Sequence, residues 1–557
     1  MPITICYGMS IRLRHNETGA LLASLPQNYR HANSSMQQIV GGSAKRDQNS
    51  LWLVKPPHDQ REQNLDGQQV HHGATFRLEH VATQHNLHTH DAPAPLTGPH
   101  QREVTAFLHQ GPGIGDRNDD WSLQLQAQEP WQTGMPFRLR HVLTHRLLHS
   151  HGLASPNATA GLYEVTAVDQ GDINDLFTCI EAHSPARVFK ILAIDGGGIK
   201  GLYTAAALAR LERALRERHQ QRGMSGQPPR INQHFDLIAG TSTGAIIASA
   251  LACGKSAEEI LNLYRRLGPA IFPDRNKLTR AGRTLRQILF GARYSHSKLR
   301  SYLDEFLPNR RFSSSENYLV IPVTNLKSYT PRIFKTRHSP QNQDNDDFVA
   351  SIALASASAP TYFPICPAPD VINGLYADGG LYANNPALVA LIEALRVFVG
   401  ESSLRKEFDE VWMLSLGNFG SPQGFRKEWM GLGQKVNTNR SMLGWMTPQC
   451  GNLPLLGVLM DSQAAATQFS VGILNKCIPA FTHFHRCDAR NGKTPRATPD
   501  ADLTRFSLAD ACDVALNDLE GYGSQDGQTD ATDPDVLLFF DAVRSPPRFY
   551  YPQNPQP

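Results

Sequence analysis

A short sequence motif occurs three times within the first third of this 557-residue chain. The motif is an apolar residue followed by Arg, Leu, a charged residue and His, and its copies occupy residues 11–15, 76–80 and 137–141. A Gly lies three residues before each copy, and a Thr lies three residues after each His. An Asn-x-x-aromatic step then closes every copy, at residues 49–52, 118–121 and 174–177. Because the register is kept, the segment is predicted to fold as three related units.

Within each copy apolar and polar residues alternate, which is typical of β-strands, and Gly, Pro, Asn and Asp cluster between the strands. One such unit is too small to bury its apolar face, so three of them around a common axis predict an all-β trefoil over residues 1–181. The copies resemble MIR modules, the β-trefoil repeats of protein O-mannosyltransferases and intracellular calcium-release channels, over residues 3 to about 181. The resemblance implies a domain that recognises an unknown ligand or partner and does not catalyse.

Histidine is concentrated in this domain, which holds sixteen of the 22 histidines before residue 185. One interpretation is a metal site. The repeated His of three separate copies would, however, lie about 120° apart around a threefold axis, too far from one another to share an ion. Structural histidines with Arg and Thr partners are therefore favoured. Neither a metal nor a cofactor is expected.

The second domain is predicted to begin at residue 188, after a short linker over residues 182–187. Residues 188–194 form an apolar run typical of a buried strand, and residues 202–218 have helical spacing. The turn between them, Asp195-Gly-Gly-Gly-Ile-Lys-Gly201, can bring backbone amides close to an oxyanion or a phosphate. A dinucleotide fingerprint also fits these glycines, but Asp195 would face the pyrophosphate, and the Gly/Pro-rich residues 223–230 leave no second strand.

A second glycine-containing turn, Gly240-Thr-Ser-Thr-Gly244, lies between a predicted strand over residues 235–239 and a predicted helix over residues 245–253. This context is typical of a nucleophile elbow, in which flanking glycines permit the sharp turn that exposes a serine hydroxyl. Ser242 is therefore the candidate nucleophile, and the amide of Thr243 is a candidate oxyanion donor. The alternative is that Ser242 only caps the helix.

A nucleophilic serine needs a base, and His483 and His485 are the only histidines after residue 338. Asp378 is the other candidate, in the turn Asp378-Gly379-Gly380. This turn, the two earlier glycine turns and the Ser-Ala-Ser-Ala-Pro-Thr-Tyr-Phe run at residues 356–363 occur in an order that resembles the patatin-like phospholipase family. The resemblance covers about residues 188–420.

The resemblance implies an α/β, three-layer hydrolase domain, which we place at residues 188–545 before a Pro-rich tail at residues 546–557. It implies that Ser242 attacks an ester carbonyl, and that Asp378 takes the serine proton and returns it to the leaving alcohol. It also implies an oxyanion hole, for which the expected donors are Gly196, Gly197, Gly198 and Thr243. The residues expected to support these groups are Asp195, Lys200, Gly201, Gly240, Gly244, Gly379 and Gly380. Asp195 is expected to shape its turn, and Lys200 stands where many family members carry Arg.

A basic segment over residues 264–293 carries eight Lys or Arg residues and one Asp, with Leu, Ile and Phe interleaved. This composition favours docking on anionic lipid headgroups, with Arg280, Arg283 and Arg286 as candidate contacts. The alternative is a pair of solvated helices whose apolar faces pack on the sheet. Further along the chain we predict a strand over residues 411–417, a helix over residues 455–474 and a polar loop over residues 521–533.

A net charge of +3 is too small to make a nucleic-acid polymer the expected partner. The most apolar stretch, residues 239–253, is shorter than the roughly 20 residues that span a bilayer. At the N-terminus, Arg12 and Arg14 follow the first apolar run, which is the wrong order for a signal peptide. We therefore expect a cytoplasmic protein that is peripheral to the membrane when active.

The function predicted from these features is phospholipase A-type hydrolysis of a phospholipid or another acyl lipid. The trefoil is expected to sense a ligand or to target the enzyme, as in a regulated membrane-degrading effector of bacterial defence. The alternative is a glycan- or nucleotide-recognition signalling protein whose hydrolase activity is secondary.

Overall fold

The structure, a computed structural model, describes residues 2–30, 34–60, 65–108, 115–126, 128–154, 162–184, 187–221, 227–271, 294–339, 347–367, 374–418, 454–488 and 512–540, together with Arg544 and Pro547. The chain divides into two compact units, Met1–Pro185 and Ala186–Pro557. Each unit is described by itself.

The first unit contains a twelve-stranded antiparallel sheet. Its strands are β1 (Ser10–His15), β2 (Leu21–Asn28), β3 (Gln38–Ser43), β4 (Trp52–Lys55), β5 (Thr75–His80), β6 (Asn86–Ala94), β7 (Gly98–Phe107), β8 (Trp121–Leu125), β9 (Pro136–His141), β10 (Leu147–Ala154), β11 (Tyr163–Val168) and β12 (Phe177–His183). The three copies of the repeated motif form β1, β5 and β9, the first strand of each group of four.

Six of these strands close into a ring in the order β1, β4, β5, β8, β9, β12. The other six form the hairpins β2–β3, β6–β7 and β10–β11, which pair with one another through β3, β7 and β11. A closed ring with three equivalent hairpins is a trefoil-like arrangement. The aromatic residues of the closing steps, Trp52, Trp121 and Phe177, are all buried in its core.

The repeated histidines are structural in the way the Thr pattern predicts. The Nδ1 atoms of His15, His80 and His141 each lie 2.8 Å from the Oγ1 of the Thr three residues later. The other imidazole nitrogen of His15, Nε2, lies 2.9 Å from the Asn174 carbonyl oxygen. The second partner of this histidine is therefore a backbone carbonyl and not the predicted Arg. Burial lowers the pKa of His141 to about 4, which keeps this imidazole neutral at physiological pH.

The second unit is built on an eight-stranded sheet. Its strands are β13 (Val188–Ile194), β14 (Leu237–Gly240), β15 (Tyr318–Asn325), β16 (Thr330–Lys335), β17 (Cys366–Pro367), β18 (Leu375–Asp378), β19 (Glu410–Leu416) and β20 (Phe481–Cys487). Their order is β17-β18-β15-β14-β13-β19-β20, with β16 on the other side of β15. The pairs β15–β14, β14–β13, β13–β19 and β19–β20 are parallel. Strands β16 and β18 are antiparallel to β15.

Helices connect these strands. They are α1 (Gly201–Gln221), α2 (Thr243–Ala252), α3 (Ala257–Ile271), α4 (His296–Phe306), α5 (Val349–Ser356), α6 (Gly380–Ala383), α7 (Ala387–Val397), α8 (Pro454–Cys477), α9 (Asp513–Asp530) and α10 (Pro534–Leu537). Residues of β13 alternate between two apolar cores, as the pleat of a strand requires. Leu192 and Ile194 pack with α1, α2 and α3, whereas Phe189 and Ile191 pack with α7.

Most of the predicted elements of this unit are confirmed, including the strand at residues 188–194 and the helix at residues 455–474, but the predicted loop at residues 521–533 is wrong. Most of these residues belong to α9. Their glycines allow the backbone of α9 to approach that of α1 closely. A Cβ on Gly523 would stand 2.3 Å from the Tyr203 carbonyl oxygen, and a Cβ on Gly527 would stand 2.4 Å from that of Ala207. Glycine here serves close helix packing and does not break the helix.

Two predictions fall on residues outside the described part of the chain: the contacts of Arg280, Arg283 and Arg286 with a membrane, and the tail at residues 546–557 apart from Pro547. Among the helices that the structure describes, none is both long enough and apolar enough to cross a membrane.

Candidate active site

The turn between β14 and α2 holds Ser242 in a strained conformation, with φ 55° and ψ −124°. The two flanking glycines allow this turn because neither position has room for a side chain. A Cβ on Gly240 would stand 2.2 Å from the Gly244 carbonyl oxygen, and a Cβ on Gly244 would stand 2.4 Å from that of Ile194. Ser242 occupies the N-cap position of α2 without a side-chain capping bond. A strained serine between a strand and a helix is typical of a nucleophile elbow.

Asp378, at the end of β18, lies directly against this serine. Ser242 Oγ donates a hydrogen bond of 2.6 Å to Asp378 Oδ2, across 136 residues of sequence. The amide of Gly380 donates to the other carboxylate oxygen at 2.7 Å, which fixes the plane of the carboxylate. Gly379 fits the same turn because a Cβ there would stand 2.2 Å from the Pro322 carbonyl oxygen.

Burial raises the pKa of Asp378 to about 7, although the hydrogen bonds from Ser242 and Gly380 oppose the shift. A carboxylate with a pKa near the working pH is suited to taking a proton and giving it back. The two histidines that were alternative bases lie elsewhere. His483 Nε2 is 3.2 Å from the Asp535 carbonyl oxygen, and His485 lies near the carboxylates of Asp533 and Asp535.

Two serines of the 356–363 segment accept hydrogen bonds from the backbone amides of Ser242 and Asp378. Ser356 Oγ accepts a hydrogen bond from the Ser242 amide at 3.0 Å and donates one to the Pro322 carbonyl at 2.7 Å. The Ser358 carbonyl accepts from the Asp378 amide at 3.0 Å. Both serines are buried. The sequence motif drew attention to this segment, but these roles were not predicted.

The glycine-rich turn after β13 corrects one prediction. The Gly196 amide donates to the Asn384 carbonyl at 2.9 Å, so it is not available to an oxyanion in this conformation. The Gly197 amide donates to Thr243 Oγ1 at 3.2 Å, and the Gly196 carbonyl accepts from the side-chain amide of Asn418. Gly198 has φ +59°, a left-handed conformation that favours glycine.

Two of the predicted oxyanion donors, Gly198 and Thr243, line the same cleft as Ser242 and Asp378. Thr243 is the first residue of α2, where backbone amides have no partner within the helix. Tyr264 OH donates to the Thr243 carbonyl at 2.7 Å and so braces this end of the helix. The same ring explains Gly201, where a Cβ would stand 2.7 Å from Tyr264.

Asp195 anchors the glycine-rich turn to an arginine that no sequence pattern indicated. Arg486, on β20, donates from its two Nη atoms to the two carboxylate oxygens of Asp195, at 2.9 and 2.5 Å. Arg486 also contacts Ser415 Oγ at 2.7 Å and Asp488 Oδ2 at 3.2 Å. All three charged side chains are buried. That Asp195 shapes the turn stays a prediction, and Lys200 lies buried in the 3-10 turn that follows.

The cleft beside Ser242 is lined largely by apolar side chains. It is lined by Gly198, Ile199, Ser242, Thr243, Ile246, Tyr264, Leu267, Ile271, Leu299, Ala357, Ala359, Tyr362, Phe363, Asp378 and Met460. Apolar walls with a few convergent polar groups suit a ligand with a hydrocarbon portion.

Two clusters in the first unit have residue types that bind metals: His88, Asp116 and Asp119, and His149, Asp172 and Asp175. In each cluster the two aspartates form the capping box of a short 3-10 turn. The histidine Nδ1 lies 2.8 Å from Asp119 in one cluster and 2.9 Å from Asp175 in the other. The carboxylates therefore already cap turns and orient histidines, which explains their proximity without an ion.

Comparison with known proteins agrees with both halves of this description. Residues 192–391 match the patatin-like phospholipase family, and residues 8–130 match the MIR domain. The chain joins a MIR domain to a patatin-like phospholipase domain. The MIR match covers the first two copies of the repeat, and the third copy follows it in the structure as β9 to β12.

Individual relatives match parts of this chain. A cGAMP-activated phospholipase of Escherichia coli (strain TW11681) is 33% identical over 241 residues, which are 41% of this chain and 63% of the relative. A protein of the same description from Vibrio cholerae is 34% identical over 39% of this chain and 61% of its own length. A stromal cell-derived factor 2-like protein of Dictyostelium discoideum is 36% identical over 27% of this chain and 69% of its own length. The match thus spans less than two thirds of either phospholipase.

Proposed function

We propose that this MIR–patatin protein is a carboxylic ester hydrolase of the phospholipase A type, acting through a Ser242–Asp378 dyad in a three-layer α/β domain. The observation that carries the proposal is the 2.6 Å hydrogen bond from Ser242 Oγ to a buried Asp378, at the floor of an apolar cleft. The nucleophile and its base are already in contact, so the ester needs only to bind with its carbonyl carbon above the serine.

In the proposed mechanism Asp378 accepts the Ser242 proton as Oγ attacks the ester carbonyl carbon. The negative charge that forms on the carbonyl oxygen is stabilised by the amides of Gly198 and Thr243, and by that of Gly197 once it leaves Thr243 Oγ1. The carbon–oxygen bond to the alcohol then breaks, and Asp378 returns the proton to the leaving alkoxide. The same carboxylate then takes a proton from a water molecule, which attacks the acyl carbon. The bond to Ser242 Oγ breaks, the fatty acid is released, and Asp378 returns the proton to Ser242 Oγ.

The proposed substrate is a membrane phospholipid or another acyl lipid, because the cleft walls beside Ser242 are apolar and suit an acyl chain. We place the enzyme in the cytoplasm, peripheral to the membrane when active. The bacterial relatives named cGAMP-activated phospholipases support a regulated activity in bacterial defence. The MIR unit would then sense a ligand or target the enzyme.

The test is fatty-acid release from phospholipid vesicles by the full chain and by Ser242→Ala, with and without added cGAMP. Release by the wild type alone supports the hydrolase, and stimulation by cGAMP extends the regulation of the relatives to this chain. If neither protein releases fatty acid under any condition, and the first unit binds a glycan or nucleotide, the recognition protein is the better account.

A further inference from the structure

One face of α8 is apolar and exposed along its full length. Its exposed residues are Leu455, Val458, Leu459, Ser462, Ala465, Ala466, Phe469, Ile473, Lys476 and Cys477. With about 3.6 residues per turn these positions form a single stripe along the helix. Its large apolar side chains are between 41% and 71% exposed, and Phe469 is the most exposed of them. We call this stripe the α8 face.

The side of α8 opposite this face packs against the rest of the second unit. Leu456, Met460, Thr467 and Val471 are buried and pack α8 onto the unit. Met460 also lines the cleft that contains Ser242 and Asp378, and its methyl group approaches Gly380 so closely that a Cβ there would stand 2.8 Å from it. The same helix therefore forms a wall of the cleft and presents the α8 face to its surroundings.

The charge of the α8 face argues for a lipid environment. It contains no Asp or Glu, and its one charged residue, Lys476, lies in the last turn of the helix. An exposed apolar patch of this kind marks a contact with a protein or a membrane. A bilayer is the partner that also accounts for the position beside the cleft, because an acyl chain must leave the bilayer to enter an apolar cleft.

We propose that the α8 face lies on the surface of a phospholipid bilayer, with its apolar side chains at the boundary between headgroups and acyl chains and the catalytic cleft beside it. This inference rests on the proposed lipid hydrolase function. It differs from the basic-segment prediction in its chemistry, since an apolar contact depends little on salt whereas Arg280, Arg283 and Arg286 would bind anionic headgroups in a salt-dependent manner.

The test uses the full chain carrying Ser242→Ala, so that vesicles stay intact, and compares it with the same protein carrying Leu459→Asp and Phe469→Asp. The probe is sedimentation with phosphatidylcholine vesicles at low and high salt. We expect the two substitutions to weaken vesicle binding at least about tenfold at both salt concentrations. A matched control carries Tyr329→Asp and Val514→Asp, two exposed side chains of the same unit, and is expected to bind as the parent does.

A second measurement separates this inference from the proposed function. In the catalytically intact chain, Leu459→Asp with Phe469→Asp should leave hydrolysis of soluble p-nitrophenyl butyrate unchanged. Absence of that hydrolysis in the wild type would contradict the proposed hydrolase function. Vesicle binding by the Ser242→Ala protein does not depend on hydrolysis and tests the α8 face alone. Unchanged vesicle binding by the Asp variants overturns the inference. A dimer that the Asp variants convert to monomer, with vesicle binding unaffected, would assign the face to a second copy of the chain.

Discussion

The buried pair of Asp195 and Arg486 gives the most specific prediction, because it links β20 to the glycine-rich turn after β13. Arg486→Met removes the guanidinium and leaves the carboxylates of Asp195 and Asp488 in the interior without their shared partner. Breaking a buried ion pair by removing one member costs about 3–5 kcal/mol of folding free energy. We therefore expect a lower melting temperature.

The effect on catalysis should be separable from this loss of stability. The Asp195 carboxylate lies just before Gly197 and Gly198, so its release should move the amides of these two glycines, which are proposed oxyanion donors. Loss of one such donor lowers kcat by about 100-fold, or about 2.7 kcal/mol. We expect kcat on a soluble short-chain ester to fall by this order with little change in KM, because the apolar cleft does not involve Arg486.

The matched control is Arg544→Met. Arg544 Nε donates to Asp236 Oδ2 at 2.9 Å, and Asp236 accepts from the Lys190 amide near the start of β13, whereas Asp195 follows its end. This variant should lose stability while the kcat of its folded fraction is kept. Comparable kcat values for the two variants, measured below both melting temperatures, would show that the Asp195–Arg486 pair only stabilises the fold.

Further predictions concern the base, its support, the basic segment and the first unit. Because burial raises the pKa of Asp378 from 3.8 to about 7, kcat/KM should rise with pH up to about 7 and then level off. The same shift means that the folded state binds this proton more tightly, so Asp378 costs stability as pH rises above 3.8, and Asp378→Asn should melt higher than the wild type at pH 8. Ser356→Ala leaves the buried Ser242 amide without its acceptor, which costs about 1–3 kcal/mol, and assays on a soluble ester should show a lower kcat at unchanged KM. Changing Arg280, Arg283 and Arg286 to Glu should weaken binding to anionic vesicles at low salt only, and salt-independent binding would favour solvated helices. Deleting residues 1–184 should keep hydrolysis of a soluble ester and alter hydrolysis of vesicles or toxicity in cells; equal values for both proteins would show that the first unit neither gates nor targets the enzyme.

The catalytic candidates could be predicted from the sequence because each lies in a short contiguous motif. Gly240 and Gly244 flank Ser242, at positions where its turn leaves no room for a side chain. Asp378 is followed by Gly379, where only glycine avoids a clash with the backbone of Pro322. The order of these turns resembles that of the patatin-like family, and the dyad that this resemblance implies consists of the same side chains that the structure places 2.6 Å apart. The threefold repeat was equally legible, because its copies keep one register along the chain.

The missed residues act across long separations. Arg486 lies 291 residues after Asp195, and Ser356 lies 114 residues after Ser242. No local pattern marks Arg486, which the strand order brings to the site, and the motif at residues 356–363 includes Ser356 without indicating its contact with Ser242. The family resemblance implied the Gly196 amide as an oxyanion donor, but this amide donates to the Asn384 carbonyl. The glycines of α9 led to a wrong prediction of a loop, because glycine occurs both in turns and where two helices pack closely.

The dyad is tested most directly by fatty-acid release from phospholipid vesicles, measured for the wild type, Ser242→Ala, Asp378→Asn and the double variant. Since the two residues act as one unit, each single change should abolish release, and the double variant should be no worse than either single variant. Retained release by Asp378→Asn, together with loss in His483→Ala or His485→Ala, would contradict the dyad and assign the base to a histidine.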